Sequence, residues 1–169
     1  DKVCVYTSLT SILNLEKPKD IHLMVTDIKK YVDEFKNLNP EYLTFHIETN
    51  INHEEMINYI HSLGIKAGIS INPNTDIEKI KPLLKYIDLV LVMTVYPGKG
   101  GQSFIDMTEK IKQLNKLKKE YSFVIEVDGG INDETIEKCK KAGADIAVIG
   151  SYITNDNMEE RVKRIWEKI

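Results

Sequence analysis

The sequence lacks most of what would set it apart from ordinary globular enzymes. It has two cysteines, Cys4 and Cys139, far apart and without metal-type spacing. Neither a disulfide scaffold nor a cysteine-based metal site is expected, and two buried thiols of a reducing compartment are. No apolar run approaches the roughly 20 residues that cross a bilayer. No signal-peptide pattern opens the chain, so the expectation is a cytoplasmic protein with no membrane partner. Positive charge is not in excess: 23 Lys and Arg face 26 Asp and Glu for a net charge of -3. They are interspersed rather than blocked, which gives no field for a nucleic-acid backbone. Low-complexity tracts and linkers are missing too, so residues 1–169 read as a single domain.

What is present is rhythm. Short β-rich apolar runs recur at Asp20–Val25, Tyr42–Ile47, Lys66–Ile71, Ile87–Thr94, Phe123–Asp128 and Ala144–Ile149. Several are apolar at consecutive positions, as strands covered on both faces are. Between them lie helical spacings: Ile28, Val32, Phe35 and Leu38; Met56, Ile57, Ile60 and Leu63; Ile111, Leu114 and Leu117; Ile136, Cys139 and Ala142. Asp133 reads as an N-cap, and Gly64 as the end of the helix before it. Strand starts fall about every 21 to 24 residues, with one longer step across a glycine-rich loop. That βα alternation fits a TIM (β/α)8 barrel or a doubly wound parallel sheet.

Six clear strands are two short of the eight in a closed barrel. Leu9–Leu15 has the pattern of a helix, with Val3–Tyr6 as a strand end or loop before it. The expectation is an α/β barrel domain that is N-terminally incomplete, with about one and a half βα units ahead of Asp1.

In parallel α/β folds the chemistry stands at the C-terminal ends of strands. The residues there are His22, Met24, His46, Glu48, Asn72, Met93, Thr94, Asp128-Gly129-Gly130 and Gly150-Ser151. Asp128 can be a general base, a metal ligand or both, or it can simply cap the turn that follows. Gly150-Ser151 and the Gly129-Gly130 pair offer exposed backbone amides suited to phosphate, although each pair alone is also an ordinary turn. A lone strand histidine such as His22 is usually a packed residue, and at a barrel mouth it can bind a metal beside a carboxylate. His46 reads as polar support. His53 and His61, on helical or loop segments, are expected to face solvent, and Met24 and Met93 to sit in the core.

Five stretches in order carry a family resemblance. They are Asp20-Ile-His-Leu-Met-Val25; Gly64-Ile-Lys-Ala-Gly-Ile-Ser-Ile-Asn-Pro-Asn-Thr75; Asp88-Leu-Val-Leu-Val-Met-Thr-Val95 with Pro97-Gly-Lys-Gly-Gly-Gln-Ser-Phe104; Val127-Asp-Gly-Gly-Ile131; and Ala142-Gly-Ala-Asp145 with Gly150-Ser151. Together they resemble the ribulose-phosphate 3-epimerase family. The resemblance implies a TIM barrel that inverts carbon 3 of a ketose phosphate with one divalent metal ion (Zn, Fe, Mn or Co), in a homo-oligomer. It implies Asp128 as a catalytic carboxylate and metal ligand, and His22 as a metal ligand that also touches substrate. Gly98, Lys99, Gly100, Gly101, Gly129, Gly130, Gly150 and Ser151 match the loop and phosphate contacts, and Met24 and Met93 match methionines packed round the reacting carbon. The family's opposing half-site, a His-x-Asp followed by Met-Asp-Gly, is not found in the sequence. Tyr96 and Lys99 replace the loop's usual asparagine and aromatic. The substrate implied is D-ribulose 5-phosphate, with a hexulose (allulose) 6-phosphate or an inactive sugar-phosphate-binding paralogue as alternatives.

Overall fold

All six β-rich runs form strands, and what separates the two candidate folds is the order in which they pair. The computed structural model describes residues 16–98, 102–154 and 157–169. The Val3–Tyr6 and Leu9–Leu15 segments, Cys4, and Lys99, Gly100 and Gly101 lie outside the described residues. Strands β1 (Asp20–Leu23), β2 (Tyr42–His46), β3 (Lys66–Ile71), β4 (Leu89–Met93), β5 (Val124–Asp128) and β6 (Ile146–Val148) make one parallel sheet in the order β1-β2-β3-β4-β5-β6. A doubly wound sheet reverses its strand order at a switch point. Here the order never reverses, so every crossover steps the same way, and the architecture is a parallel α/β half-barrel.

Strand periodicity then assigns each residue to a face. On the outer face Leu43, Phe45, Ile69, Ile71, Val90, Val92, Ile125 and Val127 are buried in one apolar layer with helical residues such as Val32, Ile57, Ile60, Ile111 and Leu114. The helices are α1 (Ile28–Phe35), α2 (His53–Ser62), α3 (Thr108–Leu117), α4 (Ile136–Ala142), α5 (Ser151–Thr154) and α6 (Met158–Trp166). Each fully buried aliphatic side chain in that layer contributes about 1.5–3 kcal/mol, so the layer holds the sheet and its cover together. The inner face is different. Leu89, Leu91, Met93, Tyr42 and Val95 form a small apolar cluster, and buried beside it are the polar side chains of Thr44, His46, Ser70 and Glu126.

Local chemistry sets the boundaries. Asp27, Asn52 and Asn157 cap α1, α2 and α6, each accepting from an amide three residues on. The β3–β4 crossover is not an α-helix but two 3₁₀ turns, Ile77–Lys79 and Lys81–Leu83. Pro82 has no amide hydrogen to continue a longer helix. Asp133 does not cap α4. The side chain of Asn132 instead accepts the Glu134 and Thr135 amides, at 2.9 and 3.0 Å, while Asp133 lies 4.0 Å from Arg164. Strands β4 and β6 are shorter than their apolar runs because the aspartates entering them turn to the neighbouring backbone. Asp88 accepts the Ala67 amide at 2.9 Å, and Asp145 accepts the Ile125 amide at 2.8 Å.

Gly68 lies on the inner face opposite Thr44. A Cβ there would fall 2.2 Å from the Thr44 hydroxyl oxygen and 3.1 Å from Leu89 Cδ2. Gly68→Ala is expected to destabilise the fold by about 1–3 kcal/mol through overpacking. Adding Thr44→Ala should recover part of that loss, because the shortest clash is with the hydroxyl. Urea unfolding of the single and double variants measures both effects.

Candidate active site

The end of β5 is the most constrained backbone in the inner mouth. After Asp128 the chain enters Gly129 at φ +120° and Gly130 at φ +62°, where L side chains are strained. Space forbids a side chain as well: a Cβ on Gly129 would lie 2.4 Å from Val95, and one on Gly130 would lie 2.6 Å from the Phe104 amide nitrogen. Thr94, just past β4, locks the two strand ends. Its amide donates to the Asp128 carbonyl at 2.8 Å. Its hydroxyl donates between the carbonyls of Asp128 and Gly129, at 2.9 and 2.5 Å. The Ile105 amide donates to the Thr94 carbonyl at 2.7 Å, so the glycine-rich segment leaves and returns at one residue.

Burial alone pushes the Asp128 carboxyl up to about 6, and no ion pair reaches it among the described residues. A carboxyl held near that value can give up or take a proton close to neutral pH, which suits a general base. Met93 is its register partner on β4 and, at 1% exposed, sits in the core. Met24 differs. Strand β1 stops at Leu23, and Met24 is 39% exposed rather than in the core.

Across the inner face stands a chain of polar groups. His22 Nε2 on β1 is 2.9 Å from His46 Nε2 on β2, and His46 Nδ1 is 3.3 Å from the Glu48 carboxylate. Burial, and then the neighbouring His46, pull the pKa of His22 down to about 3, so its ring is neutral. Burial pushes the Glu48 carboxyl upward, but His46, the Thr75 hydroxyl and the Asn72 amide outweigh it and hold it down to about 2. His46 is therefore a packed polar support. The loop after β3 is clamped by Lys110 on α3, whose ammonium donates to the carbonyls of Asn72, Pro73 and Thr75 at 2.9, 2.9 and 2.7 Å. Nothing in the sequence separates Lys110 from the other lysines of its helix, and Thr75 likewise carried no signal.

The remaining expectations divide. Gly150 closes β6, and Ser151 opens the short α5 and is exposed. A cavity of about 700 Å³ is lined by Met24, Asp27, Lys30, His46, Pro97 and Gly98 among others, so Gly98 and His46 face one space. His61 and His53 do not simply face solvent. His61 Nε2 is 2.8 Å from the Asp88 carboxylate. The His53 ring stacks on Phe45 at 6.2 Å. At the opposite, N-terminal ends of the strands, a cavity of about 340 Å³ is lined by Tyr42, Lys66, Asp88 and Lys118 among others. There Lys66 pairs with Glu41 and Lys118 with Asp145, an arrangement of structural ion pairs.

A neutral imidazole and an unpaired carboxylate are donors that a divalent ion takes. His22 and Asp128 fit such a group as part of its ligand set, and the buried Thr44 and Ser70 hydroxyls nearby find no partner among the described residues. No cluster of three or more His, Cys, Asp or Glu that could hold a metal occurs among the described residues. No helix there is long and apolar enough to cross a membrane.

Residues 3–154 match the model of the "Ribulose-phosphate 3 epimerase family". A ribulose-phosphate 3-epimerase of Helicobacter pylori strain J99 is 44% identical over 139 residues, which cover 80% of this chain and 64% of the relative. That of Methanocaldococcus jannaschii is 42% identical over 156 residues, 90% of this chain and 66% of the relative. The chain thus spans just under two thirds of the length of these relatives. Among solved structures, KGPDC from Streptococcus mutans superposes with a TM-score of 0.64 at 14% identity, over 90% of this chain and 72% of that one. Phosphoribosyl anthranilate isomerase from Thermococcus kodakaraensis gives 0.63 at 12% identity, over 98% and 85%. At such identities these two structures bear on the fold alone.

An aspartate in an unfolded chain loses its proton near pH 4, whereas folded Asp128 keeps it to about 6. Between those values the native state binds more protons than the unfolded state, so this residue's contribution makes stability fall as pH rises from about 4 to about 6. Metal-free Asp128→Asn is expected to lack that part of the decline and to be more stable than the wild type at pH 7. Urea midpoints at pH 4 and 7 check this.

Proposed function

The chain belongs to the ribulose-phosphate 3-epimerase family, and on that premise we propose that the whole protein is an isomerase interconverting D-ribulose 5-phosphate and D-xylulose 5-phosphate at carbon 3. The observation that carries the reading is Asp128: a carboxylate aimed into the inner mouth by Thr94 and two obligatory glycines, and lifted by burial alone to about 6. At that value it takes the carbon-3 proton on one face of the sugar and gives a proton back in the reverse reaction. Met93 packs beside it and keeps water from the reacting carbon. The amides of Gly129 and Gly130, with Gly150 and Ser151 at the next strand end, are the phosphate contacts in this reading. Gly98, which lines one cavity with His46, is a ligand contact in this reading.

His22 and Asp128 would hold a divalent metal ion as two of its ligands, and when bound it would supply Lewis-acid stabilisation of the developing oxyanion. The opposing carboxylate and the remaining ligands belong, in this proposal, to two strands preceding β1. Among the described residues β1 and β6 each pair on one side only, which leaves an edge at either end of the sheet for such strands. With them the half-barrel becomes a (β/α)8 barrel, the single domain to which residues 1–169 contribute.

Full-length protein supplied with divalent metal is expected to turn over D-ribulose 5-phosphate in a coupled assay and to exchange the carbon-3 hydrogen with deuterated water. Asp128→Asn should lower the exchange rate by about 10²–10⁴-fold. Turnover of allulose 6-phosphate in place of the pentose would move the substrate to the six-carbon series. Absence of both turnover and exchange would refute catalysis.

A further inference from the structure

The polar chain on the inner face bears on how His22 is presented. Glu48 joins the ends of β2 and β3: one carboxylate oxygen accepts the Asn72 amide at 3.0 Å and the Thr75 hydroxyl, and the other faces His46 Nδ1. The loop carrying Asn72 and Thr75 is in turn pinned through three carbonyls by Lys110. Glu48 is thus held in place before it meets the histidine. An ionised carboxylate only accepts hydrogen bonds, so the ring nitrogen facing it carries the hydrogen. That makes His46 an Nδ1–H ring.

Two imidazole nitrogens 2.9 Å apart share a single hydrogen. With His46 neutral, its Nε2 is an acceptor and the hydrogen comes from His22 Nε2. The free lone pair of His22 is then on Nδ1. We propose that His46 and Glu48, anchored by Lys110 through the 72–75 loop, are positioning residues that fix His22 in its Nε2–H form and reserve Nδ1 as the nitrogen that binds the divalent metal ion. This rests on the reading above in which His22 is a ligand. Metal-bound histidines commonly donate their other ring hydrogen to a fixed acceptor, and here the acceptor is a second imidazole backed by a carboxylate.

The test uses the full-length protein labelled with ¹⁵N and freed of metal. Long-range ¹H–¹⁵N spectra should show His46 as the Nδ1–H form and His22 as the Nε2–H form, and Glu48→Ala should remove the preference at both rings. In calorimetric titration with Co²⁺, His46→Phe should weaken binding about 10–100-fold, while His46→Gln, whose amide oxygen can accept the same hydrogen, should stay within about threefold of wild type. A wild-type His22 carrying its hydrogen on Nδ1 would overturn the proposal, and so would unchanged Co²⁺ affinity in His46→Phe. Failure of the wild type to take up Co²⁺ at all would overturn the metal role of His22 itself, whereas uptake with the wrong His22 tautomer overturns only the relay.

Discussion

Everything in this structure depends on six parallel strands pairing strictly in sequence order. Because no crossover reverses, one face of the sheet receives every helix, and alternation then splits each strand between two tasks. Phe45, Ile69, Val92 and Val127 point outward into the apolar layer. His46, Ser70, Met93 and Asp128 alternate with them and point inward. The outer layer supplies stability, which frees the inner positions to hold groups that a stability criterion alone would exclude.

Asp128 is the clearest instance. It is a half-buried carboxylate without a counter-ion among the described residues, and its desolvation disfavours the charged form. Thr44 and Ser70 add buried hydroxyls without partners among those residues, each unfavourable in a finished core. Asp128, Thr44 and Ser70 stand on one face of one sheet, while at two strand entrances Asp88 and Asp145 cap neighbouring amides and also pair with His61 and Lys118. In the proposed reading, the inner face is where the molecule keeps chemistry at the expense of stability.

The elements were legible in the sequence because their periods are strong: runs of β-branched residues for strands, and spacings such as Ile57, Ile60 and Leu63 for helices. Asp128 and His22 could be singled out because strand ends can be counted along the chain. The βα rhythm alone left barrel and doubly wound sheet open, since the two differ only in which strands become neighbours, and the family resemblance was what pointed to the barrel. Asp133 and Asn132 are adjacent Asx residues, and only backbone geometry selects Asn132 as the one whose side chain takes the amides of the turn before α4. Met24 looked like core because its apolar run continues to Val25, yet pairing with β2 ends at Leu23. Lys110 was invisible for another reason: its partners are carbonyls 35 to 38 residues away, and carbonyls leave no trace in a side-chain pattern.

The Thr94–Ile105 backbone hydrogen bond gives the glycine-rich segment a closed base, so its entry and exit are fixed by the scaffold rather than by its own length. A loop closed in this way is a cassette. Lengthening it costs little extra entropy, because closure entropy grows only with the logarithm of length. The length of the segment between its two anchors can therefore change without moving the ends of β4 and β5. If the proposed function holds, ligand preference can drift in this segment over evolutionary time while Asp128 stays where the sheet put it.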